Sequence, residues 1–191
     1  DKLKNSNKIV KIGLIGKYIE LQDSYKSILE SLTHAGVANE VKVKIITIHS
    51  ESINYTNLSE LLVKLNGIIV APGFGERGIE GKIKAIRYSR ENNVPFLGIC
   101  LGMQMAVIEY ARNVLKLEDV NSTEMKQNCK NPIISLMENQ KSIVNKGGTM
   151  RLGAWDCELL KKSKTEKIYN KKVISERHRH RYCLLYTSDA A

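Results

Sequence analysis

Short apolar runs, each followed by a segment with helical spacing, constrain this chain more than any other feature. "KIVKIGLI" (8–15) is the first run. After it Leu21, Tyr25, Ile28, Leu29 and Leu32 recur at helical intervals, and Gly36 closes the segment. "VKVKIITI" (41–48) reads as a second strand, and "NLSELLVKL" as a short helix leading to a third strand, "GIIVA" (67–71). The glycine-rich loop "PGFGERGIEGK" leads into a helix over residues 80–92. The strand "VPFLGI" and a second long helix follow, with Met103, Ala106, Val107, Tyr110, Ala111 and Val114 as its apolar face. Strands that alternate with helices call for an α/β fold, an open and mostly parallel sheet with right-handed crossovers and helices on both faces. Beyond residue 118 the pattern weakens into polar loops and short strands such as "PIISL" and "GGTMRLG".

The 191 residues suffice for one such domain with its own core. No apolar run approaches the roughly 20 residues that span a bilayer, and the opening "DKLKNSNK" is polar. Without an initiator Met, Asp1 is expected to lie inside a longer protein. Cys100, Cys129, Cys157 and Cys183 form no C-x-x-C pair and read as reduced thiols of a cytoplasmic protein. The net charge of +10 raises nucleic acid as a partner. The lysines are nevertheless scattered rather than gathered in a basic arm, so they read as a solvated surface.

In a parallel sheet, ligands bind outside the carboxyl ends of the strands, and "GICLG" (98–102) falls at such an end. G-x-C-x-G parallels the elbow that carries a nucleophile on a strained strand-to-helix turn. A helix starting at Leu101 aims its N–H groups and positive dipole end at the Cys100 sulfur, which favours the thiolate. The Leu101 N–H can hold an oxyanion, with a second donor from the loop at Pro72, Gly73, Phe74 and Gly75. A buried structural cysteine, a small-molecule hydrolase or a chaperone-like α/β protein would leave the same short motif, and spacing alone keeps these readings open.

The wider sequence resembles the glutaminase domain of the CTP synthases, which are class I (triad-type) glutamine amidotransferases with a flavodoxin-like sheet. "APGFGERGIEGK", "ENNVPFLGICLGMQMAVIEYARNV", "NSTE", "GGTMRLG" and "ISERHRHRY" occur in that family's order and approximate spacing. The resemblance implies that Cys100 attacks the side-chain amide of glutamine, forms a thioester and releases ammonia. It implies backbone oxyanion donors at Gly73 and Leu101, and glutamine contacts from Gln104, Glu124 and Arg181. Glu124 would meet the α-ammonium and Arg181 the α-carboxylate, with Arg179 as the fallback. It further implies a separate synthase domain that uses ATP and Mg²⁺ to aminate UTP to CTP, a homotetramer and activation by GTP. No cofactor or metal is implied for the glutaminase domain itself, nor a nucleic-acid or membrane partner.

On a strand, Arg177, Arg179 and Arg181 face one side and His178 and His180 the other, so neither histidine is expected to serve as the base. The family match stops after Tyr182, before the family's later strands and its His-x-Glu motif. Residues 1–182 are therefore expected to be a partial amidotransferase domain, inactive alone, and 183–191 an unrelated tail. A non-catalytic glutamine-binding module is the alternative reading. Trp155 is expected to serve packing, and His34 and His49 to be surface residues.

Overall fold

A computed structural model of the chain describes residues 8–21, 23–141 and 150–184. The chain forms two compact units, Asp1–Ile134 and Ser135–Ala191.

In the first unit, β1 (Ile9–Gly16), α1 (Lys26–Ala38), β2 (Lys42–His49), α2 (Leu58–Leu62), β3 (Gly67–Val70), α3 (Ile79–Glu91), β4 (Phe96–Gly98) and α4 (Leu101–Asn113) follow one another. The four strands make a parallel sheet in the order β2-β1-β3-β4. The chain steps outward from β1 to β2 and then returns past β1 to β3. Right-handed crossovers on either side of that reversal put helices on opposite faces. Successive residues of β3 show the two faces. Ile69 joins Leu14, Tyr25 and Ala71 in a core cluster with Ile28, Leu29 and Leu32 of α1. A Cβ on Gly102 of α4 would stand 3.1 Å from Val70 Cβ. Buried on both sides, β3 is continuously apolar rather than alternating.

Two sequence expectations are corrected. Gly36 does not close α1, which runs on to Ala38 and is capped by Asn39. Gly36 is a packing glycine, since a Cβ there would lie 2.9 Å from the Val41 carbonyl oxygen. On α4 the buried apolar face is Leu101, Met105, Ile108 and Ala111, whereas Met103, Tyr110 and Val114 are exposed. The helix is apolar nearly all round, so periodicity alone could not select the face.

After α4 come β5 (Val120–Ser122) and, parallel to it, β6 (Asn131–Leu136), which runs across the boundary between the units. Arg112 ties α4 to this region, its Nε donating to the Val120 carbonyl at 2.8 Å.

The second unit contains α5 (Glu138–Lys141), β7 (Arg151–Glu158), α6 (Lys164–Tyr169), β8 (Val173–His180) and β9 (Tyr182–Leu184). β7 and β8 pair antiparallel over their full length, from Arg151 opposite His180 to Glu158 opposite Val173. Part of "GGTMRLG" (147–149) lies outside the described residues; its last three residues open β7, which is longer than the short strand expected. Trp155 is not a packing residue: it is 42% exposed, with the Arg151 guanidinium 4.0 Å above its ring. Among the described residues, no helix is long and apolar enough to cross a membrane.

Candidate active site

Cys100 joins β4 to α4 with φ 53° and ψ −107°, a left-handed backbone that a residue with a side chain rarely adopts. The flanking glycines make this turn possible. A Cβ on Gly98 would lie 2.6 Å from the Gly102 carbonyl carbon and from the Met103 nitrogen. A Cβ on Gly102 would lie 2.1 Å from the Val70 carbonyl oxygen. The G-x-C-x-G spacing is thus a steric requirement of the elbow.

The sulfur is half-buried, and the Leu101 N–H points at it from the first turn of α4. The expectation of a lowered thiol pKa is corrected. Burial pushes the Cys100 thiol above its ordinary value and Glu124 adds to the rise, while the Leu101 N–H and Lys82 pull it back. The helix terminus acts as expected, but desolvation outweighs it.

Gly73, after β3, sits at the reversal of strand order. A Cβ there would stand 3.4 Å from Lys17 Cε, 3.5 Å from Leu101 Cδ2 and 3.6 Å from Lys82 Nζ. Lys17, 6% exposed at the end of β1, donates to the Phe74 carbonyl. Lys82 on α3 is fully buried, and its Nζ donates to the Ala71 carbonyl at 3.1 Å. Gln104 is buried one turn along α4, where its N–H donates to the Cys100 carbonyl at 3.1 Å. Glu124 Oε1 accepts from the Gly75 N–H at 2.7 Å. The first unit therefore gathers Cys100, Leu101, Gly73, Gln104 and Glu124 around a turn backed by two buried ammonium groups.

Sequence reading missed both lysines by assigning lysines to a solvated surface. A signal existed for Lys82: Ile79, Lys82, Ile83 and Ile86 share one helical face, so this lysine lies on the buried stripe of α3.

Arg181 belongs to the second unit, where its Nη1 donates to Gln140 Oε1 at 2.7 Å and its carbonyl accepts from the Met137 N–H. The strand alternation holds: His178 and His180 turn the same way and their rings bond at 2.9 Å, with Arg177 and Arg179 exposed on the other side. Burial lowers the His180 pKa below its ordinary value. His34 is exposed on α1, and His49 ends β2, where its Nδ1 accepts from the Glu51 N–H. Among the described residues, no three His, Cys, Asp or Glu side chains cluster as metal ligands.

Comparison with known proteins matches the glutamine amidotransferase class-I family model over residues 20–188. The chain belongs to that family. This amidotransferase is 62% identical over 181 residues to CTP synthase of Flavobacterium johnsoniae, a match spanning 95% of the chain and 34% of the relative. It is 64% identical over 179 residues to CTP synthase of Christiangramia forsetii, covering 94% of the chain and 33% of the relative. The amidotransferase chain therefore spans about a third of the length of these curated relatives. Its structure resembles the Trypanosoma brucei CTPS glutaminase domain with bound acivicin, at a TM-score of 0.82 and 38% identity, covering 92% of this chain and 68% of that one.

Proposed function

We propose that the first unit carries the cysteine of a glutaminase that supplies ammonia for CTP synthesis. The observation that carries this reading is the strained Cys100 turn with the Leu101 N–H on its sulfur and the Gly73 turn beside it. The Cys100 thiolate attacks the side-chain carbonyl carbon of glutamine, and the N–H groups of Leu101 and Gly73 take the resulting oxyanion. Collapse of this intermediate breaks the C–N bond, and the leaving nitrogen takes up the proton that the thiol gave up on forming the thiolate and departs as ammonia. Water then cleaves the thioester to glutamate and restores the thiol. Glu124 pairs with the α-ammonium of glutamine, and Gln104 contacts the substrate beside the elbow. None of these steps uses a cofactor.

The likeness to an acivicin-bound glutaminase domain and to CTP synthases supports glutamine as the substrate. In this reading, which rests on the family resemblance of the motifs, the ammonia serves a cytoplasmic enzyme whose synthase portion uses ATP and Mg²⁺ to convert UTP to CTP, as a tetramer activated by GTP. The amidotransferase portion then takes in residues 20–188, the span that the family model matches, and so runs past the end at Tyr182 that the motifs suggested. A non-catalytic glutamine-binding module is favoured by one observation, the burial that raises the Cys100 thiol.

Acivicin separates the two readings. Covalent labelling of the Cys100 peptide ahead of those holding Cys129, Cys157 and Cys183, blocked by excess glutamine, is the expected result. Reversible glutamine binding with no adduct, or labelling at another cysteine, sinks the nucleophile assignment.

A further inference from the structure

Side chains from three parts of the chain hold the loop after β3. At its start the Ala71 N–H donates to the Ile15 carbonyl of β1 at 2.9 Å, and the Ala71 carbonyl accepts from Lys82 Nζ at 3.1 Å. At its far end the Phe74 carbonyl accepts from Lys17 Nζ, and the Gly75 N–H donates to Glu124 Oε1 at 2.7 Å. These last two backbone groups belong to one peptide unit, Phe74–Gly75.

A trans peptide points its C=O and N–H in opposite directions, so Lys17 and Glu124 grip this unit from opposite sides. Their charges match its dipole, ammonium on the oxygen and carboxylate on the N–H, and both bonds are of the stronger, charge-assisted kind. Turning the peptide over would set its oxygen against the carboxylate and its N–H against the ammonium. Gly75 accepts the φ of 68° that the observed orientation needs. Lys17 is itself fixed. It is 6% exposed and follows Gly16, where an added Cβ would stand 2.4 Å from the Tyr25 hydroxyl oxygen.

Between the two held ends lie Pro72, whose ring locks φ, and Gly73, the residue type with the widest backbone freedom. Among the described residues the Gly73 N–H donates to no protein acceptor, which leaves it for a ligand. Its direction therefore depends on how firmly the ends are held.

We propose that Lys17 is a positioning residue: with Glu124 it clamps the Phe74–Gly75 peptide, and the clamp aims the Gly73 N–H at the oxyanion. This rests on the reading of Cys100 as the nucleophile and Gly73 as an oxyanion donor. Glu124 then has two tasks, one oxygen on the loop and the other toward the α-ammonium of glutamine. The amino end of the substrate and the site where charge develops are joined through one peptide unit.

The test compares two reagents on Cys100, read by peptide mass spectrometry on the chain and on Lys17→Met, which fills the same space without the donor. Iodoacetamide loses iodide from a saturated carbon and builds no oxyanion. Acivicin is attacked at a C=N carbon, with charge gathering on the ring nitrogen before chloride leaves, so it draws on the oxyanion donors. The maximal acivicin rate divided by the iodoacetamide rate is expected to fall about tenfold in Lys17→Met, less than the loss of a whole donor would cost. The half-saturating acivicin concentration should stay the same. An unchanged ratio overturns the proposal, because a general loss of structure or a changed thiolate fraction moves both reagents together.

Should Lys17→Met fail to fold, the other arm of the clamp decides. Glu124→Gln keeps an acceptor for Gly75, and Glu124→Ala loses it. The same ratio should be about tenfold lower in Glu124→Ala than in Glu124→Gln; equal ratios sink the clamp. Failure of acivicin to label Cys100 in the unsubstituted chain removes the nucleophile reading, and the proposal with it. Unchanged ratios in a chain that does label remove the clamp alone.

Discussion

Glu124 Oε1 accepts a 2.7 Å hydrogen bond from the Gly75 N–H, joining the segment after β5 to the glycine-rich loop after β3. Gly75 has φ 68°, so a glycine is needed to present that N–H. One oxygen of Glu124 thus orders the loop that carries Gly73, and its negative charge adds to the rise of the Cys100 thiol pKa.

Glu124→Gln retains an acceptor for Gly75 but loses the charge. Stability should stay within roughly 0.5 kcal/mol of the parent chain. Glutamine affinity should fall about 10- to 100-fold, the value of a hydrogen bond to a charged group. Calorimetric titration with glutamine reads both the loss and its size; unchanged affinity removes Glu124 from the binding set.

Gly102→Ala tests the elbow. The added methyl meets the Val70 carbonyl oxygen at 2.1 Å, and backbone cannot yield as a flexible side chain can. A destabilisation of about 3 kcal/mol is expected, the upper end for overpacking. Thermal unfolding followed by circular dichroism measures it, and acivicin labelling of Cys100 should fall with it. A variant as stable as its parent would show that α4 has room to move away from β3.

Between α3 and α4, the Arg90 guanidinium meets Glu109 through Nε at 3.1 and 3.2 Å and Nη2 at 2.8 Å. Glu109 is 1% exposed and also accepts from Asn113 Nδ2. Arg90→Ala leaves a buried carboxylate without its counter-ion and should cost about 3 kcal/mol. Replacing Arg90 and Glu109 together with methionine should recover most of that loss in urea unfolding. A double variant as unstable as the single one would show that packing, not charge, holds this contact.

Lys82 should make stability pH-dependent in a direction set by its lowered pKa. Its ordinary value of 10.5 drops to about 8 on folding, so between those values the unfolded chain binds more protons. Stability contributed by this group therefore rises as pH climbs from about 8 to 10.5, and the penalty is fully present below about 8. Lys82→Met should be about 2 kcal/mol more stable than its parent at neutral pH, as when buried ions give way to apolar groups. The gap should shrink as pH passes through that window, as the buried ammonium loses its proton. Urea unfolding at neutral pH and above the window checks both ends; a constant gap would mean that Lys82 keeps its proton throughout.

Local sequence was sufficient where one short-range rule decides. β3 could be read from "GIIVA" because a strand buried on both faces needs no alternation. The elbow could be read from Gly98 and Gly102, since only glycine fits where backbone meets backbone. The alternation of "RHRHR" gave the facing of His178 and His180 correctly because the side-chain period of a strand is fixed. The face of α4 and the role of Gly36 were not legible, because each depends on which surface packs against the helix. Trp155, alone of its kind in the chain, was expected to pack, and its exposed place on the β7–β8 sheet depends on a pairing that no local pattern states.

The sequence by itself determined the order of strands and helices as far as residue 118, the turn that carries Cys100 and the motifs that mark the family. All of these are properties of neighbouring residues and their conformational limits. Only the tertiary structure decided the electrostatics of the site. Lys17 after β1, Lys82 on α3, Gly73 after β3 and Leu101 on α4 meet because the strand order reverses between β1 and β3. Burial there raises the Cys100 thiol and lowers the Lys82 ammonium together, a coupling set by distance and desolvation rather than by any interval along the chain.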